Sequence, residues 1–221
     1  MTAILKRCLP LLALLILTGC AHSIHITPDT ARLPLANPAA RAPLTVGYYI
    51  SPADRQLRVT TPGGGGDSVE YAPYADLEAG IYRVLSNVFA DVRTMTSADA
   101  NANAGGKPLA LSFVPSIATQ SSSSSMLTWP PTAFTLTLQV KASDATGKQV
   151  WSEVITGNGI ASFDEFKTDP GLAGKRATEQ ALQQLQSRLQ GAEMRAFVQG
   201  AGAAPAQAQA QAQARSQSAS R

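Results

Sequence analysis

Apolar and polar residues alternate most regularly in the segment FTLTLQVK, residues 134–141. Because successive side chains of a strand point to opposite faces, this pattern predicts a strand with one buried and one solvated face. The turn-forming segment SDATGK follows at residues 143–148, and QVWSEVITGNG after it predicts the second arm of a hairpin. The predicted core face of the first arm consists of Phe134, Leu136, Leu138 and Val140.

Shorter alternating stretches predict further strands. Residues 46–50 place Val, Tyr and Ile on one face, and QLRVTT at residues 56–61 is the predicted hairpin partner or neighbour of that strand. A short strand is predicted to begin at Val92. Residues 109–113 predict another strand, which Pro115 is expected to end because proline has no N–H to donate.

Two stretches have the helical period instead. The first predicts a helix from Pro73 to Ala90 with an apolar stripe of Leu77, Ile81, Val84, Leu85, Val88 and Phe89. The second begins near Asp169, and its stripe is Leu172, Ala181, Leu182, Leu185 and Leu189, with a possible continuation through Met194, Phe197 and Val198. Together these elements predict an α+β domain in which two amphipathic helices pack on one face of an antiparallel or mixed β-sheet.

The N-terminus has a different pattern. Lys6 and Arg7 precede an apolar run at residues 9–17, which is too short to cross a bilayer, since a helix needs about 20 apolar residues for that. This arrangement predicts a signal peptide over residues 1–19. Leu17 to Cys20 resembles the lipobox of bacterial lipoproteins, which predicts diacylation of Cys20; the alternative is an ordinary signal peptide or anchor with a coincidental cysteine.

The remaining chain divides into three parts. Residues 20–43 predict a lipidated cysteine followed by an extended, proline-rich linker, and residues 44–199 predict a single α+β domain. Residues 200–221 consist almost entirely of Ala, Gln, Ser and Gly, so we expect a disordered tail.

Charge and cysteine content narrow the classes of function. Of 18 basic and 15 acidic residues, Lys6 and Arg7 lie in the predicted leader, which leaves the mature chain near neutrality and gives no indication of nucleic-acid binding. Cys8 would be removed and Cys20 consumed by lipid, so no thiol remains for a disulfide, a metal or a nucleophile.

Residues suited to catalysis or metal binding are scarce. His22 and His25 are the only histidines, and both lie in the predicted linker, where no rigid element would orient them as a base or ligand. The glycines at residues 63–66 lack the Lys-Ser/Thr pair of a P-loop and predict a flexible connection. We therefore expect no enzyme activity, no metal and no cofactor.

The segment from Ala118 to Phe134 contains five consecutive serines followed by Met126, Leu127 and Trp129. A mobile connection that carries a large aromatic side chain beside prolines is typical of an interface anchor, so Leu127 and Trp129 are the predicted partner-binding residues. The alternative is that Trp129 packs in the core, as large aromatics commonly do.

Several segments together resemble the YajG family of small periplasm-facing lipoproteins and, more loosely, the auxiliary lipoproteins of ABC-type transport systems. They are LTGC, ITPDTARLP, LEAGIYRVLSNVF, FTLTLQVKASDATGKQVW and DPGLAGKRATEQALQQLQSRL. The resemblance implies a non-catalytic accessory or assembly factor, lipid-anchored to the outer membrane and facing the periplasm, that docks on a protein partner. Ala21, in place of an aspartate after the cysteine, favours the outer membrane. The alternative is a lipid- or glycan-binding auxiliary lipoprotein of a transporter.

Overall fold

A computed structural model describes residues 21–35, 37–63, 67–99, 109–123 and 131–200. The predicted signal peptide, Cys20 and the Ala/Gln-rich tail from residue 201 lie outside this range. The described strands are β1 (Ala21–Ser23), β2 (Ala42–Tyr48), β3 (Val59–Pro62), β4 (Ser68–Tyr71), β5 (Phe89–Thr94), β6 (Leu111–Ser122), β7 (Ala133–Ser143) and β8 (Gln149–Ile160). The α-helices are α1 (Pro52–Gln56), α2 (Pro73–Val88), α3 (Phe163–Thr168) and α4 (Leu172–Leu189), and residues 192–200 are also helical. Short 3-10 helices lie at Thr30–Arg32 and Pro38–Ala40.

The strands form two mixed sheets. The larger sheet has the order β5-β2-β6-β7-β8, in which β2 is parallel to β5 and β6, whereas β6, β7 and β8 are antiparallel. The smaller sheet has the order β1-β4-β3, with β1 parallel and β3 antiparallel to β4. Helix α2 packs on β5, β6 and α4, and α4 packs on β7 and β8. The α+β class predicted from the sequence is confirmed.

The predicted hairpin forms from β7 and β8, and β7 has the predicted one-sided burial. Leu136 and Leu138 are fully buried, whereas Thr137 on the opposite face remains partly exposed. In the turn, the Asp144 carboxylate accepts hydrogen bonds from the backbone N–H groups of Thr146 and Lys148. Gly147 has a φ of 84°, a left-handed conformation that glycine adopts without steric cost.

Helix α4 packs closely on β8 because glycines of the strand face small residues of the helix. A Cβ on Gly159 would collide with the backbone of Ala173, and a Cβ on Gly157 would collide with the backbone of Ala177. The absence of side chains at both contact points lets the helix backbone approach the sheet directly.

The outer edge of β8 is covered by side chains of α4. Arg176 Nη1 donates to the Ile160 carbonyl at 2.7 Å, and Gln184 Nε2 donates to the Thr156 carbonyl at 3.2 Å. Between them, the Asn158 N–H donates to Gln180 Oε1 at 2.6 Å. The spacing of four residues places Arg176, Gln180 and Gln184 on one helix face. There they form hydrogen bonds with backbone groups of β8 that would otherwise be available to pair with another strand.

The predicted linker is not extended, because residues 21–35 pack on the domain. Ile24, Ile26 and Leu33 are buried in the main core, and β1 already pairs with β4 from Ala21 onward. The Ile26 N–H donates to Asp76 Oδ2 at 3.2 Å, and Thr178 Oγ1 donates to the Ile26 carbonyl at 2.9 Å. The segment lacks a period because it fills the space between α2 and α4 without forming a long regular element of its own.

Two predicted strand features also differ. Pro115 does not end β6, which continues to Ser122. The Phe113 carbonyl accepts from Tyr49 N, and the Ile117 N–H donates to the Tyr74 hydroxyl at 3.1 Å, so the backbone groups of these odd-numbered residues point away from β7. Proline at residue 115 therefore removes no hydrogen bond from the β6–β7 ladder.

The segment at residues 56–61 is not a neighbour of the strand at residues 46–50. Ser51 Oγ accepts from the Asp54 N–H and caps α1, which turns the chain away from β2. As a result, β3 pairs with β4 in the smaller sheet.

The helix boundaries need smaller corrections. Helix α2 ends at Val88, and Phe89 begins β5. A separate helix, α3, precedes α4 and starts with a capping box between Ser162 and Glu165. The helix is interrupted at Gln190 and Gly191. The last helical segment follows, and Met194 in it is buried.

The one-sided burial of β7 predicts unequal costs for substitutions on its two faces. Leu138→Ala should lower the free energy of unfolding by about 2 to 5 kcal/mol, because it removes buried methyl groups and leaves a cavity. Thr137→Ala, the matched control on the solvated face, should cost about 1 kcal/mol or less. Chemical denaturation of both variants measures the difference, and equal costs would contradict the assigned faces.

Candidate functional site

The residues predicted to carry function lie at or beyond the limits of the described structure. Cys20, Leu127 and Trp129 are all outside the described residues. Their described neighbours are ordered: Ala21 begins β1, and the segment at residues 124–130 is flanked by the hydrogen-bonded ends of β6 and β7. The lipidation site and the partner-binding residues therefore remain predictions.

The two histidines lie on an ordered segment, contrary to the prediction of a flexible linker. His22 Nε2 lies 3.5 Å from Asp67 Oδ2, and His25 Nδ1 lies 3.8 Å from Asp76 Oδ1. The buried Asp76 carboxylate also accepts from Thr27 Oγ1 at 2.7 Å and from the backbone of the same segment. Asp76 thus holds the N-terminal segment against α2, and its hydrogen bonds give it a structural role.

A second polar cluster joins α1 to α2. Arg55 donates two hydrogen bonds to Glu78, at 2.9 and 2.8 Å, and the Tyr48 hydroxyl donates to the same carboxylate at 3.3 Å. The Arg55 hydrogen bonds lower the pKa of Glu78, whereas burial raises the pKa of Tyr48. Thr94 Oγ1 in turn donates to the Tyr48 hydroxyl. Because the carboxylate, the guanidinium and the phenol are paired with one another, we assign the cluster to packing.

A groove between residues 40–43 and the last helical segment is the strongest candidate for a binding site among the described residues. Its volume is about 460 Å³, within the range of small-molecule sites. The apolar wall consists of Val88, Leu189, Met194 and Val198, and the polar rim includes Arg41, Gln190, Arg195 and Gln199. An apolar wall with basic side chains at its rim suits an amphiphile with an anionic head.

Arg41 is the chemically distinctive residue of this groove. Its Nε atom is buried and has no hydrogen-bond partner among the described residues. A buried donor without a partner costs about 1 to 3 kcal/mol, so it is rarely retained without compensation. An anionic oxygen bound in the groove would supply an acceptor, and the planar guanidinium is well suited to carboxylate or phosphate. Sequence reasoning missed Arg41 because its position before β2 has no motif.

The described part of the chain gives two further observations. It contains no group of three or more His, Cys, Asp or Glu side chains arranged to hold a metal ion. Of the helices within it, none is both long and apolar enough to span a bilayer.

No family model matches the chain, and no curated protein matches it, so the resemblance to the YajG family stays a prediction. Among solved structures, the chain is similar to protein XCC0632 from Xanthomonas campestris, which is assigned to DUF330. The identity is 18%, the match covers 78% of this chain and 92% of that chain, and the TM-score is 0.44. A "putative lipoprotein" from Caulobacter crescentus CB15 matches at 14% identity over 59% of this chain and 84% of its own, with a TM-score of 0.30. These likenesses are too distant to assign this chain to a family.

Proposed function

We propose that this protein is an outer-membrane lipoprotein that acts without catalysis as a periplasmic accessory or assembly factor and docks on another envelope component. The observation that carries the proposal is the sequence from Leu17 to Cys20, which follows a basic and apolar leader and matches the pattern of a lipobox. Two or three acyl chains on Cys20 would hold the domain stably, since each buried CH₂ contributes about 0.8 kcal/mol.

Cleavage at this processing site is compatible with the described structure. Ala21, the residue that would follow the acylated cysteine, belongs to β1 and is paired with Ser68 of β4. Cleavage before Cys20 would therefore leave the described strand β1 intact.

The docking role is supported by the composition of the connection between β6 and β7. It joins a serine run to Leu127 and Trp129, which are the kinds of side chain that fill a partner's pocket. In contrast, α4 side chains cover the edge of β8, so strand addition there would require the loss of three hydrogen bonds. We therefore propose docking at the connection in preference to this sheet edge.

A second candidate function is the binding of an anionic lipid, and the unpartnered Arg41 Nε in the apolar groove favours it. In this function the protein would be an auxiliary lipoprotein of a transport system. The wall of the groove would receive an acyl chain and Arg41 would pair with the acidic head.

The first expected outcome concerns the anchor. Cys20→Ala should abolish incorporation of radiolabelled palmitate and leave the chain unprocessed or soluble, because no other cysteine follows the leader. Cys8→Ala is the matched control, and it should be acylated normally. Normal acylation of Cys20→Ala would contradict the proposal.

The second expected outcome concerns docking. With a photo-crosslinking residue at Thr128, Trp129→Ala should reduce the yield of a specific envelope crosslink at least about thirtyfold, because truncating a buried interface Trp costs 2 kcal/mol or more. Met126→Ala serves as the nearby control and should have a smaller effect. If thermal melts instead show a loss of about 3 to 5 kcal/mol while crosslinking at low temperature is unchanged, Trp129 belongs to the core.

The third expected outcome distinguishes the second candidate. Native mass spectrometry of detergent-extracted protein should detect a retained anionic lipid, and Arg41→Met should lose it without a fall in melting temperature, since the substitution also removes a buried unpaired N–H. Arg188→Met, outside the groove, should retain the lipid. Lipid-free wild-type protein, or equal retention by both variants, would count against lipid binding in the groove.

A further inference from the structure

The N-terminus of β1 lies at one end of the molecule together with a connection of the smaller sheet. Ala21 is paired with Ser68 at the start of β4, and Ser68 is also paired with Pro62 at the end of β3. The connection from Gly63 to Asp67 closes here with a backbone hydrogen bond of 3.0 Å. Cys20 is joined to Ala21 by one peptide bond, so the two Cα atoms are about 3.8 Å apart.

Three strands of the larger sheet also reach this end: β6 ends here, β7 begins here and β8 ends here. Ser121 Oγ donates to the Pro62 carbonyl at 2.8 Å, which joins the end of β6 to the end of β3. Ser122 is paired with Ala133, and Ala133 with Ile160 at the end of β8. We call this end of the molecule, marked by Ala21, Pro62, Ser68, Ser122, Ala133 and Ile160, the anchor end.

Two of the large apolar side chains that are exposed in the described structure lie at the anchor end. Ile160 is 71% exposed, and Phe163, at the start of α3, is 54% exposed. Lys167 Nζ lies 4.1 Å from the centre of the Phe163 ring. An exposed aromatic ring and an aliphatic side chain beside a lysine are typical of surfaces that meet the headgroup region of a bilayer.

The charges around Phe163 are compatible with a lipid surface because they occur in pairs. Lys167 Nζ lies 3.3 Å from Asp164, and Arg176 Nη2 lies 2.7 Å from Glu165. The immediate surroundings of the exposed ring therefore carry no excess of negative charge that anionic headgroups would repel.

We propose that the anchor end rests on the phospholipid surface, with Ile160 and Phe163 in the headgroup region, so that the acylated chain has one fixed orientation. This inference rests on the proposed acylation of Cys20. It follows from the lack of a spacer: the first residue after the acylated cysteine already belongs to a sheet, so the domain has no flexible linker about which to rotate. We choose lipid as the partner because acylation of Cys20 would by itself place the anchor end next to the membrane.

The orientation places the opposite end of the molecule away from the membrane. Strand β7 has 11 residues between the anchor end and the turn at residues 144–148. At about 3.3 Å per residue, the turn lies roughly 30 Å or more from the anchor end. Arg41 precedes β2, whose parallel pairing with the start of β6 puts the groove towards this distal end as well.

Fluorescence quenching in vesicles tests the orientation. Acylated full-length protein, labelled at Ser122→Cys or at Ala145→Cys, is reconstituted in phosphatidylethanolamine and phosphatidylglycerol vesicles that contain a headgroup-nitroxide lipid. Both positions are exposed, and the mature chain has no other free thiol once Cys20 is acylated. We expect several-fold stronger quenching of the label at residue 122. Equal quenching of both labels, or stronger quenching at residue 145, would overturn the fixed orientation.

A second set of variants tests the contact itself. The pair Ile160→Ser and Phe163→Ser should reduce quenching of the label at residue 122 while the protein still floats with the vesicles. Val154→Ser is the matched control, because Val154 is 61% exposed on the same strand but away from the anchor end. Unchanged quenching in the double variant would overturn the contact.

The outcomes separate this inference from the proposed function. Protein that is acylated and floats, yet shows equal quenching of the two labels, refutes the orientation and leaves the lipoprotein proposal standing. Absence of acyl label on Cys20 refutes both. Energy transfer between labels at residue 122 of different molecules, with no quenching by lipid, would show that a second copy covers the anchor end and would also refute the inference.

Discussion

The burial of the N-terminal segment between α2 and α4 is the constraint on which the arrangement of this protein depends. A backbone in that position must find hydrogen-bond partners away from water, and the helices provide them. Asp76 and Thr178 satisfy the N–H and the carbonyl of Ile26. Asn87 and Gln186 both donate to the Pro34 carbonyl, at 3.1 and 2.9 Å, and Asn87 Nδ2 also donates to Gln186 Oε1 at 3.0 Å. These side chains are costly to bury on helices unless the segment is in place.

This constraint links the start of the domain to its core. The segment leaves the small sheet at Ser23, passes between the two helices and continues to the start of β2, so displacing it would expose Ile24, Ile26 and Leu33 as well as the polar groups that bind its backbone. A force applied at Cys20 would therefore act on the main core directly. A lipid attached at that position would hold the whole domain and not a detachable arm.

Sequence reasoning succeeded where structure follows from local period and failed where it follows from distant partners. The alternation of residues 134–141 predicts the buried face of β7, and the apolar stripe of α2 predicts the side that faces the core. Each pattern identifies the buried face without knowledge of which elements pack against it. The fold of residues 21–35 depends on four helix residues separated from it by 50 to 152 positions, and no short window contains that information. The structure shows where that information lies: Asp76, Asn87, Thr178 and Gln186 are buried polar residues on two helices that pack on the core. For the candidate site, the lipobox-like pattern that ends at Cys20 can be recognised in the sequence. Arg41 has no such pattern, and only the structure shows that its Nε is buried without a partner in the groove.

The two candidate functions use opposite ends of the molecule, and this geometry separates the partners that each would require. The connection that carries Trp129 is flanked by Ser122 and Ala133, which lie at the anchor end. If that end rests on lipid, a protein that docks there must itself lie at the membrane surface. The groove at Arg41 lies near the start of β2, at the distal end, where a tethered domain would meet ligands or proteins that approach from the side away from the membrane. A docking factor and a lipid-binding module are then compatible in one chain, because a membrane-bound partner and a groove ligand would not compete for the same surface.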